Sequence, residues 1–269
     1  MKVLSRIYVF LIFLLLYIPI LMLVLFSFND GGTLNSFTGF SFYWYKELLK
    51  NSDALNALKN SLYLAVSSAL LSTVIGTLGA LGIDRMRKKH LKNVITSVTN
   101  IPMMNPDIVT GVSMMLLFVA AGSLPFLNLR FGWWTMLITH TTFNLPYVIL
   151  SVLPRFKQMD RHLTEASLDL GCTPAKAFLR VELPNVMPGV ISGFMLGFTL
   201  SLDDFVTSHF VSSPDFQTLP LYVYNQTVHE VKFSMYPLFA IIVFVILILL
   251  LVVNFAGPKT TKMKGAIAP

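Results

Sequence analysis

The 269-residue chain has a single cysteine, Cys172, and only 12% of its residues are charged. One thiol excludes an internal disulfide framework and offers no metal cage, so Cys172 reads as a small packing residue. The charged fraction is about half that of an ordinary soluble domain. Neither an HExxH nor a GxSxG pattern occurs, no GxxxxGK[ST] phosphate loop is present, and the five histidines are scattered. These gaps leave no catalytic residue and no metal ligand to assign. Any uphill work by this chain has to draw its energy from elsewhere.

Hydrocarbon fills the space that charge leaves. Hydrophobic residues make up 55% of the chain and fall into six blocks, roughly 7–28, 60–83, 98–121, 133–153, 189–211 and 235–256. Each is near the ~20 residues that cross ~30 Å of lipid tails. The pattern predicts an all-α membrane protein, a single transmembrane domain over 1–269. The first block follows Lys2 and Arg6 as in a signal peptide, but it is too long for one and lacks a small-x-small cleavage site. It is expected to be a retained helix. With both termini in the cytoplasm, fifteen of the twenty Lys and Arg lie inside: Lys2, Arg6, the bases of "RMRKKHLK" (85–92), five between 155 and 180, and Lys259, Lys262 and Lys264. Only Lys46, Lys50, Lys59, Arg130 and Lys232 lie outside. That asymmetry is the positive-inside rule. It also accounts for the net charge of +7 without nucleic-acid binding, leaving the lipid bilayer as the partner.

Outside, "FYWYKELLKNSDALNALKNSL" has helical periodicity and predicts an interfacial amphipathic helix. Trp44 and Tyr45 are expected at headgroup depth; contact of Trp44 with substrate or an external partner is the alternative. Gly76, Gly79 and Gly82 share one helix face, and Gly189, Gly193 and Gly197 make overlapping small-xxx-small steps. Such steps let backbones approach closely, within the chain or against a partner. His140 and Asn144, one turn apart, are expected to be interhelical hydrogen-bonding residues.

Three carboxylates fall inside the spans: Asp107, Asp203 and Asp204. A charge in hydrocarbon costs several kcal/mol or more, so such residues usually serve a function. Asp107 lies ~13 Å into the third span and Asp203 ~21 Å into the fifth, at 1.5 Å per residue. Pro102 and Pro106 leave unpaired carbonyls near Asp107, a break tolerated where backbone lines a protein cavity. No Lys or Arg lies mid-span. The acids are therefore neutralised either by protonation or by a visiting cation. On an unbroken helix, Asp204 continues the small stripe Gly193, Gly197, Ser201 and Ser208, which marks it and Ser201 for the pathway. Asp203 would then be the structural acceptor.

The inside loop 154–188 alternates polar and apolar residues at helical period. Gly171 suits a helix C-cap, Thr173 an N-cap and Pro174 a first helical position. Glu165-Ala166-Ser167, Gly171 and Val181-Glu182-Leu183-Pro184 resemble the EAA loop of ABC-importer permeases, E-A-A-x3-G-x9-I-x-L-P. Ser167 replaces an alanine and Val181 an isoleucine. The resemblance implies a type I, MetI-like permease fold with six transmembrane helices in the bacterial inner membrane. It implies partners too: a second permease, two ATPase subunits that use ATP and Mg, and an external binding protein, with no cofactor on this chain. Glu165, Ala166, Gly171, Leu183 and Pro184 would couple to the ATPase. "NPDIV" (105–109), "SLDDF" (201–205) and "SSPDFQTLPLYVY" (212–224) are similar to the permeases of spermidine/putrescine importers. The cargo so implied is a polyamine, whose ammonium groups the spaced carboxylates would hold. Another small cationic solute, a proton-coupled secondary transporter and an intramembrane enzyme are the competing readings. The patterned loop speaks against the second, and the adjacency of Asp203 and Asp204 against the third.

Overall fold

The computed structural model describes residues 2–31, 36–124, 129–228 and 233–256. Among these the chain is helical, and extended pairing is limited to two isolated bridges, Asn29 with Phe40 and Ser213 with Phe216. Four described helices are long and apolar enough to cross a membrane. A sharply bent pair supplies a fifth if counted as one span, and Met235–Ile248 is a shorter apolar helix. Lys232, Lys259, Lys262 and Lys264 of the charge argument lie outside the described residues.

The chain separates into two compact units. One joins residues 1–59 to 218–251. Here α1 (Lys2–Phe26) exposes apolar side chains from Ile7 through Tyr17, the surface a lipid-facing helix presents. Ser27 Oγ donates to the Val24 carbonyl at 2.6 Å and lies 2.8 Å from the Tyr45 hydroxyl. Short α2 (Tyr43–Lys50) buries Leu48 among Ala54 and Ala57 of α3 (Ser52–Arg85), Leu219 and Tyr222 of α11 (Leu219–Thr227), and Met235 and Leu238 of α12 (Met235–Ala256). Asn51 ends α2 and so divides the expected amphipathic helix in two. Its Oδ1 accepts from the Ala54 N–H at 3.1 Å, capping α3, and its Nδ2 donates to the Tyr222 hydroxyl at 3.1 Å.

The other unit contains residues 60–217, with α6 (Trp133–Gln158) against α9 (Leu183–Asp203). The glycine stripe of α9 makes that contact. A Cβ on Gly189 would stand 2.7 Å from the Ser151 carbonyl, and one on Gly193 would stand 3.2 Å from Val148 Cα. The stripe therefore packs within this chain. Gly76 of α3 meets the same valine, 2.7 Å from Cγ1, whereas a Cβ on Gly82 would meet nothing within 4 Å. Ala80, Ile83, Val148, Val152, Phe156 and Val186 form one buried cluster; Leu64, Phe118, Met136, Leu137 and Val211 form another.

Two expected spans are interrupted. Block 98–121 divides into α4 (Lys89–Met104) and α5 (Asp107–Gly122), bent by 104°. Pro106 has no N–H to continue the ladder and keeps Asn105 extended, with ψ 140°. Block 189–211 divides into α9 and α10 (Val206–Val211), parted at Asp204, where ψ is 116°. Neither proline nor glycine marks this second break. α10 packs on α5 through Gly111, whose absent Cβ would lie 2.7 Å from Phe210 Cδ2.

Candidate functional site

Both breaks open onto one cavity of about 290 Å³. Its wall includes Asp107, Asp203 and Asp204 with Phe143, Tyr147 and Phe205. Asp107 begins α5, where the unpaired N–H groups of a helix start favour a carboxylate. Phe143 and Tyr147 stand one turn apart on α6, so both can face the same side. Asp107 thus shares one wall with the distant pair Asp203 and Asp204. The three aromatic residues were not singled out by sequence, where nothing distinguishes them from the many other rings of the chain.

The two adjacent aspartates have different surroundings. Asp204 Oδ2 accepts from the Ser208 N–H and Oγ, both at 2.8 Å. Its Oδ1 accepts from the Thr207 N–H at 3.3 Å and from the Thr207 hydroxyl. Asp204 is therefore held by the first turn of α10, whereas Asp203 is exposed. These surroundings differ from those of an unbroken helix, on which Asp204 continues the small stripe. The helical wheel fails because α9 stops at Asp203, and because Asp204 gives the start of α10 an alternative to continued helical bonding.

Ser201 lies behind the wall and is 2% exposed. Its Oγ is 2.6 Å from His140 Nδ1 and accepts from Ser68 Oγ at 3.0 Å. His140 Nε2 lies 3.2 Å from Ser208 Oγ and 3.5 Å from Asp204 Oδ2. The expected interhelical role of His140 is thus met across the α9–α10 break. Asn144 does not meet the same expectation: it is fully buried at the Gly197 contact, and neither its Nδ2 nor its Oδ1 has a hydrogen-bond partner among the described residues. Trp44 belongs to the other compact unit, where its indole N–H donates to the Asn29 carbonyl at 2.9 Å.

The patterned loop folds into α7 (Arg161–Asp169) and the single turn α8 (Pro174–Ala177). Gly171 has φ +85°, a left-handed conformation that glycine adopts without a Cβ clash. The Gly171 N–H reaches the Leu168 carbonyl at 2.9 Å and the Cys172 N–H reaches Ser167 at 3.1 Å, which is a Schellman ending. Thr173 Oγ1 accepts from the Lys176 N–H at 3.4 Å, and Pro174 takes the first helical position. Glu165, Ala166 and Pro184 are exposed, and Leu183 is half-buried. Residues 178–182 make a π-turn that runs into α9, carrying the buried Glu182. Glu182 falls on the unspecified x of the I-x-L-P pattern, so the motif does not single it out.

A family model described as binding-protein-dependent transport system inner membrane component matches residues 72–259. The chain is 38% identical over 213 residues to the putrescine transport system permease protein PotI of Escherichia coli K12, covering 79% of this chain and 76% of that one. It is 36% identical over 249 residues to the spermidine/putrescine transport system permease protein PotC of the same organism, covering 93% and 90%. In three dimensions it resembles a bacterial ABC transporter involved in the import of the acidic polysaccharide alginate. There the TM-score is 0.74 at 16% identity, over 97% of this chain and 96% of that one. A bacterial alginate ABC transporter in complex with an alginate pentasaccharide-bound periplasmic protein gives a TM-score of 0.72 at 16% identity, over 95% and 92%. The fold is that of ABC-importer permeases, and the chain belongs to the binding-protein-dependent transport system inner membrane components, as a membrane-embedded transport subunit rather than an enzyme.

Proposed function

We propose that this chain forms half of the translocation pathway of an ATP-driven polyamine importer. The observation that carries the reading is the cavity shared by Asp107, Asp203, Phe143, Tyr147 and Phe205. Asp203 ends α9, where the helix already carries a partial negative charge, so a bare carboxylate there calls for a cation. A polyamine answers with ammonium groups separated by methylenes. The carboxylates match the charges, and the aromatic faces match both the methylenes and the ammoniums, at about 0.5–2 kcal/mol per cation–π contact. The transport activities named for the two E. coli relatives point the same way.

In the full scheme the chain crosses the membrane six times with both termini in the cytoplasm. It pairs with a second permease, receives cargo from an external binding protein, and rests on two ATPase subunits. The loop carrying Glu165, Ala166 and Gly171, continued through Leu183 and Pro184, is the docking element. Its exposed Leu163 and Leu170, the latter 87% exposed, are suited to a protein partner.

The test is uptake of labelled spermidine and putrescine by the complete reconstituted transporter. Asp107→Asn and Asp203→Asn keep shape but remove charge, and each is expected to lower uptake at least tenfold with assembly intact. Unchanged uptake in both, or equal uptake of uncharged solutes, overturns the reading.

A further inference from the structure

The geometry points to His140 as the positioning residue of the pathway, a buried strut whose Nε2–H holds the α9–α10 break in the shape that leaves Asp203 facing the cavity. Asp204 Oδ2 accepts from the Ser208 N–H and from the Ser208 hydroxyl. Ser208 Oγ, 2.8 Å away, therefore spends its one proton on Asp204. At the 3.2 Å contact with His140 the same oxygen has to accept, so Nε2 carries the hydrogen. In the neutral ring Nδ1 then accepts from Ser201 Oγ at 2.6 Å, and Ser201 accepts from Ser68 at 3.0 Å. The bonds run in one direction, from Ser68 of α3 through Ser201 of α9 and His140 of α6 to Ser208 of α10, and end on Asp204.

His140 is fully buried, where an unpaired ring nitrogen would cost free energy; here both nitrogens have partners. Those partners are the last turn of α9 and the second residue-pair of α10, on either side of a break that no proline enforces. The ring is thus what spans the interruption. Without it, the start of α10 and the end of α9 lose their common anchor, and the direction of Asp203 changes. The inference rests on the reading of this cavity as the pathway, but its decisive measurement needs no cargo.

In the assembled transporter with Cys172→Ser, Asp203→Cys provides a reporter at the cavity wall, modified by a cationic methanethiosulfonate reagent. His140→Leu removes both hydrogen bonds, His140→Asn offers an amide only at the Nδ1 position, and His140→Gln returns an N–H near Nε2. Ser208→Ala cuts the same link without touching the ring. The labelling rate at position 203 is expected to change about tenfold with Leu, Asn or Ala, the scale of one hydrogen bond to a polar partner in a buried site. With Gln it is expected to stay within about twofold of the parent. Polyamine uptake, measured with Asp203 intact, follows the same order. If Gln is no better than Leu, or if all four variants label like the parent, the assigned role of His140 is wrong. If labelling follows this order but Asp203→Asn transports normally, the strut stands and the polyamine reading fails.

Discussion

Arg85 Nη2 holds both carboxylate oxygens of Glu182, at 2.8 and 2.9 Å. The side chain of Glu182 is 4% exposed and that of Arg85 is 48% exposed. The pair joins the end of α3 to the π-turn that leads into α9, 97 positions later in sequence. Losing Arg85 leaves a carboxylate buried without its partner, which costs more than losing both groups.

Arg85→Ala is accordingly expected to destabilise the permease by about 1–3 kcal/mol, a range reduced because the arginine is half in water. The double variant Arg85→Met with Glu182→Met should recover most of that loss. Thermal unfolding midpoints of the purified complex check both. A double variant no more stable than Arg85→Ala would mean that the pair contributes little to holding the π-turn.

Gly111 is expected to resist substitution. A methyl group there meets Phe210 Cδ2 at 2.7 Å and Thr207 Cα at 3.3 Å, and the latter is backbone that cannot yield by rotating. Gly111→Ala should cost about 1–3 kcal/mol through overpacking and lower transport by displacing α10. Gly82→Ala, into open space, is the matched control and should be close to neutral in the same melting assay.

The four long apolar helices could be read from the sequence, because hydrocarbon length fixes how many apolar residues a crossing needs. The bend at Pro106 was also accessible, since proline removes a donor and restrains its neighbour. The break at Asp204 was not: its cause is a side chain bonding to Thr207 and Ser208, and an aspartate in that register looks the same whether or not the helix stops. The acids of the site were conspicuous because charge is rare in the spans. Phe143, Tyr147 and Phe205 were not, since aromatics make up 13% of the chain. Arg85 and Glu182 meet only through the tertiary fold, and no local pattern pairs them.

Glu165→Lys is expected to uncouple uptake from ATP hydrolysis while leaving the chain inserted. The side chain is 66% exposed and, among the described residues, is bonded to His162 one turn away at 3.2 Å, so the fold should hardly register the change. Gly171→Ala, forced to φ +85°, adds strain of about 1 kcal/mol and should weaken docking. Uptake per ATP hydrolysed in reconstituted transporters is the measurement; a normal ratio in Glu165→Lys counts against ATPase docking at this loop.

Cys172, the sole cysteine, lies in the turn between α7 and α8 and is partly accessible. A membrane-impermeant maleimide should leave it unmodified in intact cells and label it in inside-out vesicles stripped of ATPase. Labelling from the outside would invert the proposed topology.

From Pro174 the helical path continues for 30 residues to Asp203, with the π-turn tied to α3 by the Arg85–Glu182 pair. At 1.5 Å per residue this is a rod of about 45 Å, carrying the loop at one end and the cavity's exposed carboxylate at the other. A tilt of about 5° around its middle would swing each end by about 2 Å in opposite directions, on the same α-helical length. The chain thus has a lever between the surface proposed to feel nucleotide and the acid proposed to hold cargo.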